Sequence, residues 1–146
     1  MSLLTDIIFV KALRSNEALL AKLPAKDIYN TSIPVPDEKL LNAPVPYVIV
    51  SYDGMNNDDS TKDSYEGDTD RVQIGIEVVA RTRPELGELV TDIRQTIREY
   101  FENGDPEDED YELIPTDYLF SAQAVMYDPD KPAYAQVLSY QCDTNL

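Results

Sequence analysis

At 146 residues the chain is a usual size for one domain, able to bury roughly 70% of its unfolded surface without disulfide or metal staples. Twelve basic against 28 acidic side chains give a net charge of −16, so no basic patch exists to release counterions from nucleic acid phosphates. A single cysteine and no histidine exclude an intrachain disulfide, a cysteine zinc cluster and the commonest general base.

Ser2 is placed to cap a first helix, with Leu4, Ile7, Ile8 and Lys11 on one face and an apolar character that fades at Arg14. This start is too short and too charged for a signal peptide or a spanning helix, so the chain reads as cytoplasmic and soluble, with no membrane partner. Ser15-Asn16-Glu17 opens a short second helix with Leu19, Leu20 and Leu23, which Pro24 stops. Asp27-Ile-Tyr-Asn is a short extended segment. Pro34, Pro36, Pro44 and Pro46 make residues 33–46 an extended connector. Tyr47-Val-Ile-Val-Ser-Tyr is a nearly continuous β run, covered on both faces or in contact with another chain. From Gly54 to Thr69 the chain is polar and acidic, a long loop or ribbon tip of the kind that is functional or disordered.

Around Arg71 the pattern sharpens. Val72, Ile74, Ile76, Val78 and Ala80 alternate with Gln73, Gly75, Glu77 and Arg81, which predicts a half-buried strand. The period then changes. Leu86, Leu89, Val90, Ile93, Ile97, Tyr100 and Phe101 form one helical stripe, with Ile93 and Ile97 expected to face Ile74 and Ile76. Thr82 and Glu85 make a capping box, Pro84 fits the first turn, and Asn103-Gly104 supplies the stop. Beyond a second acidic loop, residues 118–127 and 133–143 read as two strands around the turn at Asp128-Pro-Asp-Lys-Pro. The order predicts one α+β domain over residues 1–146, a mostly antiparallel sheet of four to five strands with helices packed on one face.

Chemistry is scarce in this pattern. No phosphate loop and no nucleophile elbow is present. Cys142 has no histidine to activate it and reads as a buried structural thiol. Asp58-Asp59 and the acids from Asp105 to Asp110 lack the alternating spacing of a calcium loop, so a solvated acidic loop outweighs calcium binding. The chain is therefore expected to fold without metal or cofactor and to have no catalytic residues. Ten tyrosines suit either half-wet sheet positions or a protein interface. The charge is concentrated: residues 53–70 carry −6 and residues 102–117 carry −8 of the total −16.

The order of elements, with Pro46-Tyr-Val-Ile-Val-Ser-Tyr, the strand from Val72 to Arg81 and the following Glu-Leu-Val-Thr-Asp-Ile-Arg-Gln-Thr-Ile-Arg helix, resembles the phage tail completion or tail terminator family of head–tail joining proteins. That resemblance implies a non-enzymatic α+β subunit in the virion tail. It implies a homo-oligomeric ring, typically a hexamer, that caps the tail tube and docks to neck proteins after assembly in the host cytoplasm. Sequence-specific nucleic acid binding is not implied; the acidic lumen lets DNA pass. Two sets of interface residues are expected. Gly75, Gln73 and Glu77 share a strand face, where the glycine admits a close neighbour or packing within the subunit. Asp58, Asp59, Asp63, Glu107, Asp108 and Glu109 lie in the acidic loops, where they face DNA or a basic partner. A competing class is an acidic adaptor or inhibitor that binds a basic cellular protein. A third, weaker one is a calcium or small-molecule module.

Overall fold

The computed structural model describes residues 5–31, 43–58, 69–103 and 119–145. In chain order these form α1 (Thr5–Arg14), α2 (Glu17–Lys22), a 3-10 turn (Ala25–Asp27), β1 (Ile28–Asn30), β2 (Tyr47–Asp58), β3 (Thr69–Ala80), α3 (Arg83–Asn103), β4 (Leu119–Ala122), β5 (Met126–Asp128) and β6 (Ala133–Asn145). The fold is α+β. The sheet runs β1-β2-β3-β6-β4, with β5 also on β6. Only β1 is parallel to its neighbour; every other pairing is antiparallel.

The alternation in β3 decides which side is the core. Val72, Ile74, Ile76, Val78 and Ala80 are all buried, and they join Val48, Val50, Leu138 and the helix stripes in one cluster. On α3, Leu86, Leu89, Ile93, Ile97 and Phe101 are buried as the spacing predicts; Ile93 and Ile97 lie in the same cluster as Ile74 and Ile76. Thr96 is buried too, which its polarity hides in sequence: its hydroxyl donates to Asp92 O at 2.7 Å and accepts from Asn16 Nδ2 at 2.8 Å. Asn16 thereby ties α2 to α3 while its own side-chain oxygen caps α2 through the Ala18 and Leu19 amides. At the start of α3, Thr82 Oγ1 accepts from Glu85 N–H at 3.2 Å. Glu85 reaches back to Arg81 N–H at 3.4 Å, one residue earlier than a capping box requires. The helix ends at Asn103; the Gly104 stop lies outside the described residues.

Three expectations need correction. The face of α1 is rotated from Ile7, Ile8 and Lys11: Ile7 is 39% exposed and Lys11 is exposed, while Phe9, Ala12 and Leu13 are fully buried. Phe9 sets the rotation, because it packs edge-on against Phe101 at 5.0 Å and against Tyr140 at 5.4 Å. Ser2 and Leu4 lie outside the described residues. Of the two alternatives for the stretch from Gly54, a long loop or a ribbon tip, the ribbon is found and the loop gives way to it, since β2 and β3 stay paired out to Asp58 opposite Thr69; residues 59–68 fall outside the description. The strand expected over residues 118–127 is two strands, so the sheet has six. Between the Ala122–Leu138 and Met126–Ala135 pairs, one more residue stands on the β4–β5 side than on β6. Gln123 still bonds across this break, its N–H donating to Val137 O at 2.9 Å and its carbonyl accepting from Gln136 Nε2 at 2.9 Å.

Candidate functional site

The three helices bury their stripes on one side of the sheet, so the side chains that alternate with the core point to the other. This open face carries Tyr47, Ile49 and Ser51 of β2, Gln73, Gly75, Glu77 and Val79 of β3, and Ala135, Val137, Ser139 and Gln141 of β6. The expected trio Gln73, Gly75 and Glu77 is therefore brought together here. Asp58 is the last residue of β2, paired with Thr69 at the far end of the β2–β3 ribbon. Asp59, Asp63, Glu107, Asp108 and Glu109 lie outside the described residues.

Across the middle of the face runs a line of small residues. Ser51 pairs with Gly75, Gly75 with Ser139, and Ser139 with Ser121. Beside this line, β2 has a bulge between Tyr52 and Gly54, which leaves Asp53 without a partner on β3. Gly54 sits there at φ +141°, a backbone region side chains rarely tolerate. The bulge turns Asp53 back over β3. Asp53 Oδ1 accepts from Ser51 Oγ at 2.7 Å. A Cβ on Gly75 would stand 2.5 Å from Asp53 Oδ2 and 2.7 Å from Ser51 Oγ. A side chain at position 75 would therefore have to displace the Asp53 carboxylate and the Ser51 hydroxyl.

Towards the other end the face turns apolar. Tyr47, Val79, Ala133 and Ala43 are buried in a second cluster, with Tyr29, Val45, Ile49 and Ala135 packed against them. The connector residues Ala43 and Val45 thus cover part of the sheet, and Arg81 Nε donates to Val45 O at 2.9 Å to hold them there. Next to this cluster lies a groove of ≈360 Å³, lined by Tyr47, Val79, Ala135 and Val137 on its floor, Met126 on one wall, and Glu77, Asp128 and Lys131 as its charges; the neighbouring Tyr127 ring packs on Tyr134 at 5.0 Å. Lys131 Nζ sits 4.5 Å over the Tyr47 ring and 3.4 Å from its hydroxyl. Burial pushes the Tyr47 hydroxyl above its ordinary pKa, and the charges of Glu77 and Asp128 push it further. Met126 and Tyr127 are 66% and 53% exposed, the two most exposed large apolar side chains described. Sequence reasoning weighed Tyr127 only as one of ten tyrosines that suit an interface, and missed Met126. Its signal was the irregular Gln123-Ala-Val before Met126, where the strand alternation fails. A second groove of ≈420 Å³ has a mixed lining, with Asp53, Gln73, Ser121, Ser139 and Gln141 beside Ile74, Phe120 and Tyr140.

On the helix side one polar site stands out. Among the described residues, Asp6, 1% exposed in the first turn of α1, has no hydrogen-bond partner for either carboxylate oxygen, and the buried Tyr52 hydroxyl has none either. Tyr52 is held above its ordinary pKa by burial first, then by the charges of Asp70 and Asp6. Among the described residues no three His, Cys, Asp or Glu side chains gather as a metal would need, and Cys142 is buried on the core side. No helix among them is long and apolar enough to cross a membrane.

No family model and no curated protein matches this sequence. A solved structure does: a chain from the virion of the native gene transfer agent (GTA) particle. The match covers 94% of this chain and 92% of that one, at a TM-score of 0.60 and 14% identity. The two chains share a fold over nearly their full lengths.

Proposed function

We propose that this chain is a structural protein of a phage or phage-like particle, and within it a tail terminator or head–tail joining subunit that assembles into a ring at the end of the tail tube. The observation that carries the reading is the end-to-end likeness in fold to a chain of a virion particle. The order of elements, which resembles the tail terminator family, agrees with it independently. The subunit works by shape and charge and has no catalytic role. Its acidic segments suit that role, because like charge along a lumen keeps DNA mobile and opposite charge speeds docking to a basic neck or tube protein.

The solution mass of the purified chain, followed by imaging of any ring, tests the assembly. A chain that stays monomeric alone and with tail tube protein would sink the ring. Neutralising Asp58, Asp59 and Asp63 to Asn, and separately Glu107, Asp108 and Glu109 to Gln or Asn, tests the charge. Both variants should fold, and at least one should impair tail joining or infectivity. If both join and infect like the parent, the electrostatic part of the reading fails while the ring survives.

A further inference from the structure

We infer that the apolar groove between β3, β6 and the β5 hairpin receives a short segment of another protein in which a bulky apolar side chain is flanked by lysine or arginine. The groove's ≈360 Å³ has room for a large side chain together with parts of its neighbours in a short segment, and its floor is Tyr47, Val79, Ala135 and Val137. Met126 extends that apolar surface outward at 66% exposure. A concave site with an apolar lining and a few charged groups at its edge is the usual form of a binding site.

The charges select the occupant. Glu77 is half-buried at the edge of the groove and enters no ion pair among the described residues. Asp128 uses one oxygen to hold its own turn, accepting from the Asp130 and Lys131 amides, and its charge still reaches the Tyr47 hydroxyl. Lys131 is the one cation lining the groove, and it is drawn onto the Tyr47 ring. Two carboxylates against one engaged ammonium, in a chain of −16, favour a cationic guest. A second copy of this chain would bring its own −16 to the same place, and nucleic acid would bring phosphates.

The inference rests on the particle-protein reading only for the guest's being another virion protein. It is tested with two capped heptapeptides that share a Leu-Trp core, one flanked by Lys and Arg, the other by Glu. The basic peptide should bind at least about tenfold tighter, weaken as salt is raised, and shift the amide resonances of Val79, Met126 and Ala135. Ala135→Trp, which fills the floor, and Glu77→Lys should each weaken it about tenfold. Met126→Ser, at an exposed position, gives the same loss of apolar contact without changing the charge should Ala135→Trp fail to fold. Equal affinity for both peptides, no binding of either, or binding indifferent to all three variants overturns the inference. Loss of ring mass in Ala135→Trp would make the guest a second copy, which sinks the inference and leaves the ring reading intact. Correct peptide behaviour from a chain that never forms a ring would do the reverse.

Discussion

Gly75→Val probes how the middle of the open face is built. The new Cβ stands where Asp53 Oδ2 and Ser51 Oγ already lie, at 2.5 and 2.7 Å. Asp53 must swing away, which breaks its hydrogen bond with Ser51 at a cost of about 0.5–1.5 kcal/mol. The two extra methyl groups crowd a face already filled by Asp53 and Ser51, adding about 1–3 kcal/mol of overpacking. Against this, removing a glycine from a strand interior returns about 0.5–1 kcal/mol. The net loss is about 1–3 kcal/mol, whereas Gly75→Ala should be close to neutral. Urea unfolding of Gly75→Val, Asp53→Ala and the double variant isolates the cause. Because Asp53→Ala removes the closer of the two collisions and frees the Ser51 hydroxyl to turn away, the double variant should be more stable than the two losses added together, by about 1 kcal/mol. Additive losses would refute the packing account. An unmoved unfolding midpoint with a lower solution mass would instead show that position 75 is kept small for a neighbouring subunit.

Ile93→Ala removes a fully buried side chain from the middle of the α3 stripe and should cost about 2–5 kcal/mol in the same assay; a loss under about 1 kcal/mol would mean the stripe is not core. Asp6→Leu replaces an unpartnered buried carboxylate and should raise stability by about 1–4 kcal/mol, less a few tenths for the lost charge at the helix N-terminus. A drop would show that the buried Asp6 carboxylate stabilises the fold. Tyr29, Tyr47 and Tyr52 have raised pKa values, with burial the largest cause in each. A raised folded pKa favours the native state below the ordinary value of 10.0, and that contribution is lost as pH climbs from there through the folded value. Ultraviolet titration should therefore find tyrosines ionising above pH 10.0 with stability falling in step; a single transition at the ordinary value would contradict it.

The strand–helix unit from Val72 to Phe101 was legible because each signal in it points the same way: strict alternation, then a 3.6 period, with a hydroxyl cap and proline between. The face of α1 was not. Thr5-Asp-Ile-Ile-Phe-Val-Lys offers several apolar arcs of similar width, and only the aromatic contact of Phe9 with Phe101 and Tyr140 chooses among them. Those partners are far away in sequence, so no local window contains the choice. Thr96 is hidden for the same reason, since its burial depends on Asn16 arriving from α2. At the candidate site, the alternation was enough to put Gln73, Gly75 and Glu77 on one face. It could not supply the Asp53 bulge, which needs the count of residues on β2 against β3. Nor could it supply the break at Gln123, which depends on the register of β6.

An antiparallel sheet covered by helices on one side usually turns polar side chains to water on the other. Here the rule holds only in part of the open face. Gln73, Gln141, Ser139 and Ser121 obey it, while Ile49, Val79, Ala135 and Val137 do not. The nearly continuous apolar run Tyr47-Val-Ile-Val signalled that departure, since a strand with one wet face has no use for Ile49 between Val48 and Val50. The chain answers half of the demand itself. Ala43 and Val45 fold back from the connector onto Tyr47 and Val79, and Arg81 pins them by the Val45 carbonyl. What they leave is the strip from Val79 to Met126, with Glu77 beside it. Covering that strip needs no large interface, only one segment with an apolar side chain and a positive charge next to it.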